Sequence, residues 1–111
     1  MMTDRDKVEV AYPFKGVERR VLAYNNKLML VEHLIAKGSL FPLHSHYHEQ
    51  IFYITEGKVR VICNNEEYEV KAGGSFVIPG GIEHSVYAIE DTVSLDIFNP
   101  AREDYMPQIT V

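Results

Sequence analysis

Residues 38–57 read GSLFPLHSHYHEQIFYITEG. Within them, positions 44–50 hold three histidines, a glutamate and a glutamine, all of them groups that bind metals. A single small site cannot take all five from one strand. Side chains on a strand alternate faces, so His44 and His46 can project together into one cavity. Two imidazoles at this spacing can hold one ion at about 2.0–2.2 Å each. The H-x-H pair alone is weak evidence, since in most chains it decorates a surface. The next residues, QIFYI and then Glu56-Gly57, have the character of a strand closed by a turn.

The same punctuation runs along the chain. Turn signals fall at Asn25-Asn26, Asn64-Asn65, Ala72-Gly73-Gly74, Pro79-Gly80-Gly81 and Glu90-Asp91. Between them lie short runs rich in β-branched and aromatic residues, such as KLMLVEHLI (27–35), KVRVIC (58–63), EYEV (67–70), SFVI (75–78), HSVYAI (84–89) and TVSLDIF (92–98). No segment sustains apolar spacing of three and four as a helix requires. The pattern predicts an all-β sandwich or barrel.

Composition narrows the function classes. At 111 residues and 46% hydrophobic, the chain is expected to form one domain with a real core. A net charge of −5 and the lack of any lysine-arginine block argue against a nucleic-acid surface. The polar N-terminus, MMTDRDKVEV, lacks the apolar region of a signal peptide, and no apolar run approaches the roughly 18 residues of a membrane span. Cys63 is the only cysteine, so no internal disulfide is expected, and VRVIC suggests a buried, inert thiol. The expected location is cytoplasmic.

The flanking residues give the histidines a context. Gly38, His44, His46, Gln50 and Gly57 follow the spacing G-x5-H-x-H-x3-E-x6-G, with glutamine in the glutamate slot. Gly73, Pro79, Gly81 and His84 follow G-x5-P-x-G-x2-H, and Ala88 stands where an asparagine would complete that motif. In these two motifs the chain resembles the cupin superfamily. The resemblance implies a jelly-roll β-barrel with its core over about 17–99, an N-terminal strand at 8–14, a C-terminal tail at 100–111, and one divalent metal in the barrel mouth. It assigns His44, His46, Gln50 and His84 as ligands. Parity agrees: Gln50, Phe52 and Ile54 share a strand face, and Glu49 points away. His48 is expected in the turn, facing solvent, and His33 as a satisfied structural histidine. Three imidazoles and a carboxamide are a neutral set, which leaves a bound ion its full charge and favours polarising a substrate oxygen over dioxygen chemistry. Zinc, nickel, manganese and iron all suit such donors.

A second group lies in SLDIFNPARED (94–104). Asp96 and Phe98 share one strand face, and Val93, Leu95 and Ile97 take the other, where they read as packing residues. Pattern alone leaves Asp96 equally suited to a solvent-facing position, and Arg102 to a surface pair with Glu103 or Asp104. With HSHYHEQIFYITEG, this segment resembles a subfamily of small cupins that linearise 4,5-unsaturated monouronates during pectin and alginate breakdown (the KdgF type). That resemblance implies a sugar-acid substrate and catalytic roles for Asp96, Phe98 and Arg102: a proton shuttle, a wall, and a bidentate carboxylate clamp. It also carries an expectation of homodimers paired through outer sheets. The alternatives are another metal cupin, a dioxygenase or sugar isomerase, or a non-enzymatic ligand-binding barrel. In the last case Asp96 and Arg102 should point to solvent.

Overall fold

The computed structural model of the chain describes residues 1–106. Among the described residues nine strands form two antiparallel sheets. They are β1 (Val17–Tyr24), β2 (Met29–Ile35), β3 (Leu40–His44), β4 (Glu49–Glu56), β5 (Lys58–Cys63), β6 (Glu66–Lys71), β7 (Ser75–Ile78), β8 (His84–Ala88) and β9 (Thr92–Asn99). The larger sheet runs β1-β2-β9-β4-β7 and the smaller β3-β8-β5-β6. This is the all-β arrangement that the turn spacing predicts, in the jelly-roll form that the family resemblance implies. No helix among the described residues is long and apolar enough to cross a membrane.

Alternation explains how the sheets face each other. On β4, Gln50, Phe52 and Ile54 are buried and the residues between them are exposed. On β5, Val59, Val61 and Cys63 point inward. Together with Val70 and Ile78 these apolar residues make the main core, each contributing roughly 1.5–3 kcal/mol when fully buried. Burial raises the pKa of the Cys63 thiol, in keeping with an inert role. Two turns depend on special backbone geometry. Asn64 and Asn65 both have positive φ and join β5 to β6 as a two-residue hairpin. Gly57 has φ +89°, and a Cβ there would collide with the Asp91 carbonyl oxygen.

Two expectations need correction. The segment 8–14 is not a strand: the N-terminus forms a short 3-10 turn at Arg5–Lys7 and a single bridge from Ala11 to Arg19. Pro13 removes a ladder donor, and Phe14 turns in against Phe41, ring centroids 5.4 Å apart. On β9 the two faces are reversed. Thr92, Ser94, Asp96 and Phe98 are buried, and Val93, Leu95 and Ile97 lie on the outer face. The inner face can hold polar groups because each finds a hydrogen-bond partner there. The tail is docked over its first half, with Ala101 and Arg102 buried and Tyr105 and Met106 packed on Met29, Val31 and Phe98. Positions 107–111 of that tail lie outside the described residues.

Candidate active site

Two strand ends and one loop bring the histidines together. His44 closes β3, His84 opens β8, and the two stand opposite each other in the ladder. His46 follows in the β3–β4 connection rather than on a strand. One ring nitrogen of each lies within 4.8 Å of the others. Backbone carbonyls fix which nitrogen that is. His44 Nδ1 donates to Pro42 O at 2.7 Å, His84 Nδ1 to Ile82 O at 2.8 Å, and His46 Nδ1 to His48 O at 3.1 Å. A carbonyl only accepts, so each Nδ1 carries the proton and each Nε2 is bare. Burial, then the Arg102 charge, pushes the His46 pKa down to about 4, and burial lowers that of His84 as well. Both rings are therefore neutral near pH 7.

Gln50 completes the set. Its Nε2 donates to Asp96 Oδ2 at 2.7 Å, which turns its Oε1 toward His46 Nε2 at 3.1 Å. Two lone pairs then face each other with no proton between them. Three bare imidazole nitrogens and one carboxamide oxygen, all acceptors and all convergent, fit a cation. Such a cation would supply a Lewis acid with its charge undiminished by anionic ligands.

Beside this point is a cavity of about 30 Å³, lined in part by His44, Gln50, His84, Asp96, Phe98 and Arg102. It has room for an ion and a water or two. An outer hollow of about 370 Å³ adjoins it, between Pro13, Phe14, Arg19, His44, Arg102 and Tyr105. Asp96 faces inward and is 5% exposed. Its carboxylate accepts from Gln50, from Ser94 Oγ at 2.8 Å and from His33 Nδ1 at 3.3 Å. A buried carboxylate with three donors is satisfied without a counter-charge in contact. Phe98 lies beneath His46, ring centroids 5.9 Å apart.

Arg102 is buried, 8% exposed, and its guanidinium stacks over Tyr105 at 4.1 Å. It does pair with Asp104, as the surface alternative anticipated, through Nε at 3.0 Å and Nη2 at 2.9 Å. That pairing occupies the edge a bidentate clamp would use and leaves Nη1 without a partner among the described residues. His48 departs furthest from expectation. It is 3% exposed instead of solvent-facing, with Tyr47 and His46 against its ring and Glu103 of the tail at its edge. Its Nε2 meets Glu103 Oε2 at 3.2 Å, and Tyr47 stacks on its ring. His48 thus fastens the tail to the loop that carries His46.

His33 is a satisfied core histidine, as expected, but it also lines the cavity wall. Ser94, Arg19 and Tyr105 border the site without a motif to announce them. The only sequence signal for Ser94 is its parity with Asp96 and Phe98.

Comparisons with known proteins show the family and the fold. A family model described as the cupin domain matches residues 31–98. The chain is 30% identical over 93 residues to the pectin degradation protein KdgF of Dickeya dadantii, covering 82% of this chain and 84% of that protein. Its structure superposes on that of KdgF from Halomonas sp. with a TM-score of 0.89 and 27% identity, covering 96% of this chain and 98% of the other. An RmlC-like cupin from Shewanella frigidimarina superposes equally well, TM-score 0.89 and 30% identity, with 95% of each chain covered. Facing sheets, a histidine cluster at the barrel mouth and a family match over most of the strands have one common explanation: the chain belongs to the cupin family.

Proposed function

We propose that this protein is a metal-dependent cupin enzyme of pectin or alginate breakdown that opens 4,5-unsaturated monouronates to 5-keto-4-deoxyuronates. One observation carries the reading: Asp96 faces the histidine cluster from inside the barrel and is hydrogen-bonded to Gln50 beside it. Arg102 lines the same cavity, which disfavours the ligand-binding alternative in which both residues face solvent. The similarity to KdgF proteins supplies the substrate class.

The substrate is a ring hemiacetal with a C4–C5 double bond and a carboxylate on C5. The reaction moves one proton. The C1 hydroxyl loses it, the bond from C1 to the ring oxygen breaks, C1 becomes an aldehyde, and C4 gains the proton as C5 becomes a ketone. Nothing is oxidised and no water is consumed. Asp96 takes the hydroxyl proton and returns it to C4, the work of a positioned general base and acid. Arg102 holds the carboxylate through Nη1, a charge-assisted bond with one nitrogen instead of two. Phe98 forms part of the wall of the inner cavity, where the reacting edge of the sugar enters. His44, His46, His84 and Gln50 would hold a cation, which would supply Lewis acidity at a substrate oxygen. The sugar ring occupies the outer hollow and reaches the inner cavity with its reacting edge.

The protein acts as a homodimer in this reading. Ile51, Tyr53, Val77 and Ile97 form an apolar patch on the outer face of β4, β7 and β9, each more than a third exposed. Such a contiguous patch suits an interface with a second copy.

The test is direct. Purified protein loaded in turn with zinc, nickel, manganese and iron is mixed with an unsaturated galacturonate. The ultraviolet absorbance of the conjugated double bond should decay faster than in buffer. No acceleration with any of the four metals refutes the proposal.

A further inference from the structure

A polar track crosses the inner face of the larger sheet, and only its last members belong to the proposed reaction. It begins on β1, where Arg19 Nε donates to His33 Nε2 at 3.1 Å. A guanidinium has no lone pair to offer and keeps its protons in proteins, so this bond has one direction. His33 Nε2 is therefore bare, and the ring proton sits on Nδ1. That proton faces Asp96 Oδ1 at 3.3 Å, and the Ser94 hydroxyl donates to the same oxygen at 2.8 Å. Oδ2 is left for Gln50 Nε2 at 2.7 Å. The Gln50 oxygen then faces the histidine cluster.

The order matters because the two ends of a carboxamide have the same shape. Packing cannot tell them apart; only the polarity of their neighbours can. A carboxylate only accepts, so the Gln50 NH2 group stays on Oδ2 while that oxygen is held in place; were Asp96 to swing away, Gln50 could turn its NH2 group toward the metal point. Two N–H bonds there would repel a cation. We propose that Arg19 and His33 anchor the Asp96 carboxylate with Oδ2 on the Gln50 amide group, and so hold the oxygen of Gln50 toward the metal; both are positioning residues. This rests on Gln50 being a metal ligand and is independent of which substrate the enzyme opens.

The tests read tautomer and metal affinity, not turnover. In the wild-type protein, nitrogen-15 NMR of His33 should give Nδ1 protonated and Nε2 bare; the opposite tautomer overturns the inference without any variant. Metal-free protein is then titrated with zinc by calorimetry. His33→Leu should weaken zinc about tenfold or more, the usual effect of losing a partner behind the ligands. His33→Asn places an amide N–H where Nδ1 sits and should keep affinity within about threefold of wild type. Arg19→Met should give a mixed tautomer at His33 and an intermediate affinity. A His33 that only fills space would lower stability to urea and leave the zinc affinity of the folded protein unchanged. That result, or equal losses in the Leu and Asn variants, overturns the proposal. Gln50→Leu separates the premise from the inference. If it leaves zinc affinity unchanged, Gln50 is no ligand and the inference falls with it; if it weakens zinc and His33→Leu does not, the inference alone is wrong.

Discussion

Asp96→Asn tests two roles with one change of atom. In the wild-type protein two donors, Ser94 and His33, converge on Oδ1, and one, Gln50, on Oδ2. An asparagine has one oxygen, and the better place for it is the position with two donors. Its NH2 group then meets the Gln50 NH2 at about 2.7 Å, donor against donor. Leaving a buried donor unmatched costs about 1–3 kcal/mol, so Gln50 flips. Its oxygen now accepts from the introduced asparagine, and its NH2 donates to the bare Nε2 of His46. Metal-free Asp96→Asn protein is fully hydrogen-bonded and should unfold in urea near the wild-type midpoint. The proposed metal site, however, has lost its oxygen ligand. Zinc affinity should fall about 10–100-fold, or about 1.4–2.7 kcal/mol. Turnover measured at saturating metal should also fall, by about 10²–10⁴, because the proton shuttle is gone. Calorimetric titration reads the first effect and decay of the uronate absorbance the second. Wild-type zinc affinity would refute the amide flip. Turnover within about threefold of wild type at saturating metal would refute the proton-transfer role.

Other perturbations probe the remaining parts. Without metal, stability should fall as pH drops from about 6.5 to about 4. In that window the unfolded chain protonates a histidine that folded His46, with its pKa near 4, refuses, so the stability is present above the window and lost through it. His84 shifts in the same direction. Urea midpoints of apo protein at about pH 7 and about pH 5 check this, and equal midpoints would contradict neutral, Nε2-bare rings. Arg102→Ala should lower kcat/KM for the uronate about 10–100-fold through loss of a charge-assisted bond, and Arg102→Lys should recover part of it. Ile51→Asp combined with Ile97→Asp places charges on a patch whose two members pair across β4 and β9. Sedimentation should give dimers for the wild type and monomers for this variant; a monomeric wild type refutes the interface.

The fold is legible in the sequence because strand length, turn residues and glycine spacing all constrain the backbone locally. SFVI and KVRVIC match β7 and β5 residue for residue. The side of a strand that faces inward is not a local property. On β9 the apolar residues Val93, Leu95 and Ile97 have the pattern of a core face, yet the polar set Ser94 and Asp96 is inside. It can be buried because His33 and Gln50, on the two neighbouring strands, supply donors. Alternation gives the two faces and leaves their choice to partners far away in the chain. The placement of His48 escapes sequence reasoning for the same reason: one of its partners, Glu103, is more than fifty positions on. The C-terminal segment also explains why Arg102 reads equally as a surface ion pair and as a site residue. It is paired with Asp104 and buried at the cavity at once.

Gln50 is explained by its neighbour as well as by the metal. A neutral ligand keeps the ion's charge high, as the sequence suggests. The structure adds a nearer cause, since a glutamate at this position would set two carboxylates in contact. At about 3 Å and an effective dielectric constant of about 20, they would repel by about 5 kcal/mol. Glutamine at 50 and aspartate at 96 are therefore compatible in a way that glutamate and aspartate are not, although 46 positions separate them. The complementary exchange should work too. In a Gln50→Glu, Asp96→Asn double variant, the introduced asparagine keeps its oxygen toward Ser94 and His33. It donates its NH2 to the introduced glutamate, whose other oxygen faces the metal point. Zinc affinity lost in Asp96→Asn should return to at least the wild-type level, because the fourth ligand is now anionic. Turnover should stay low, because residue 96 still cannot carry a proton. Restored affinity without restored turnover would separate the ligand-orienting work of Asp96 from its proton transfer. A double variant that binds zinc no better than Asp96→Asn would show that the contact between residues 50 and 96 does not control the metal site.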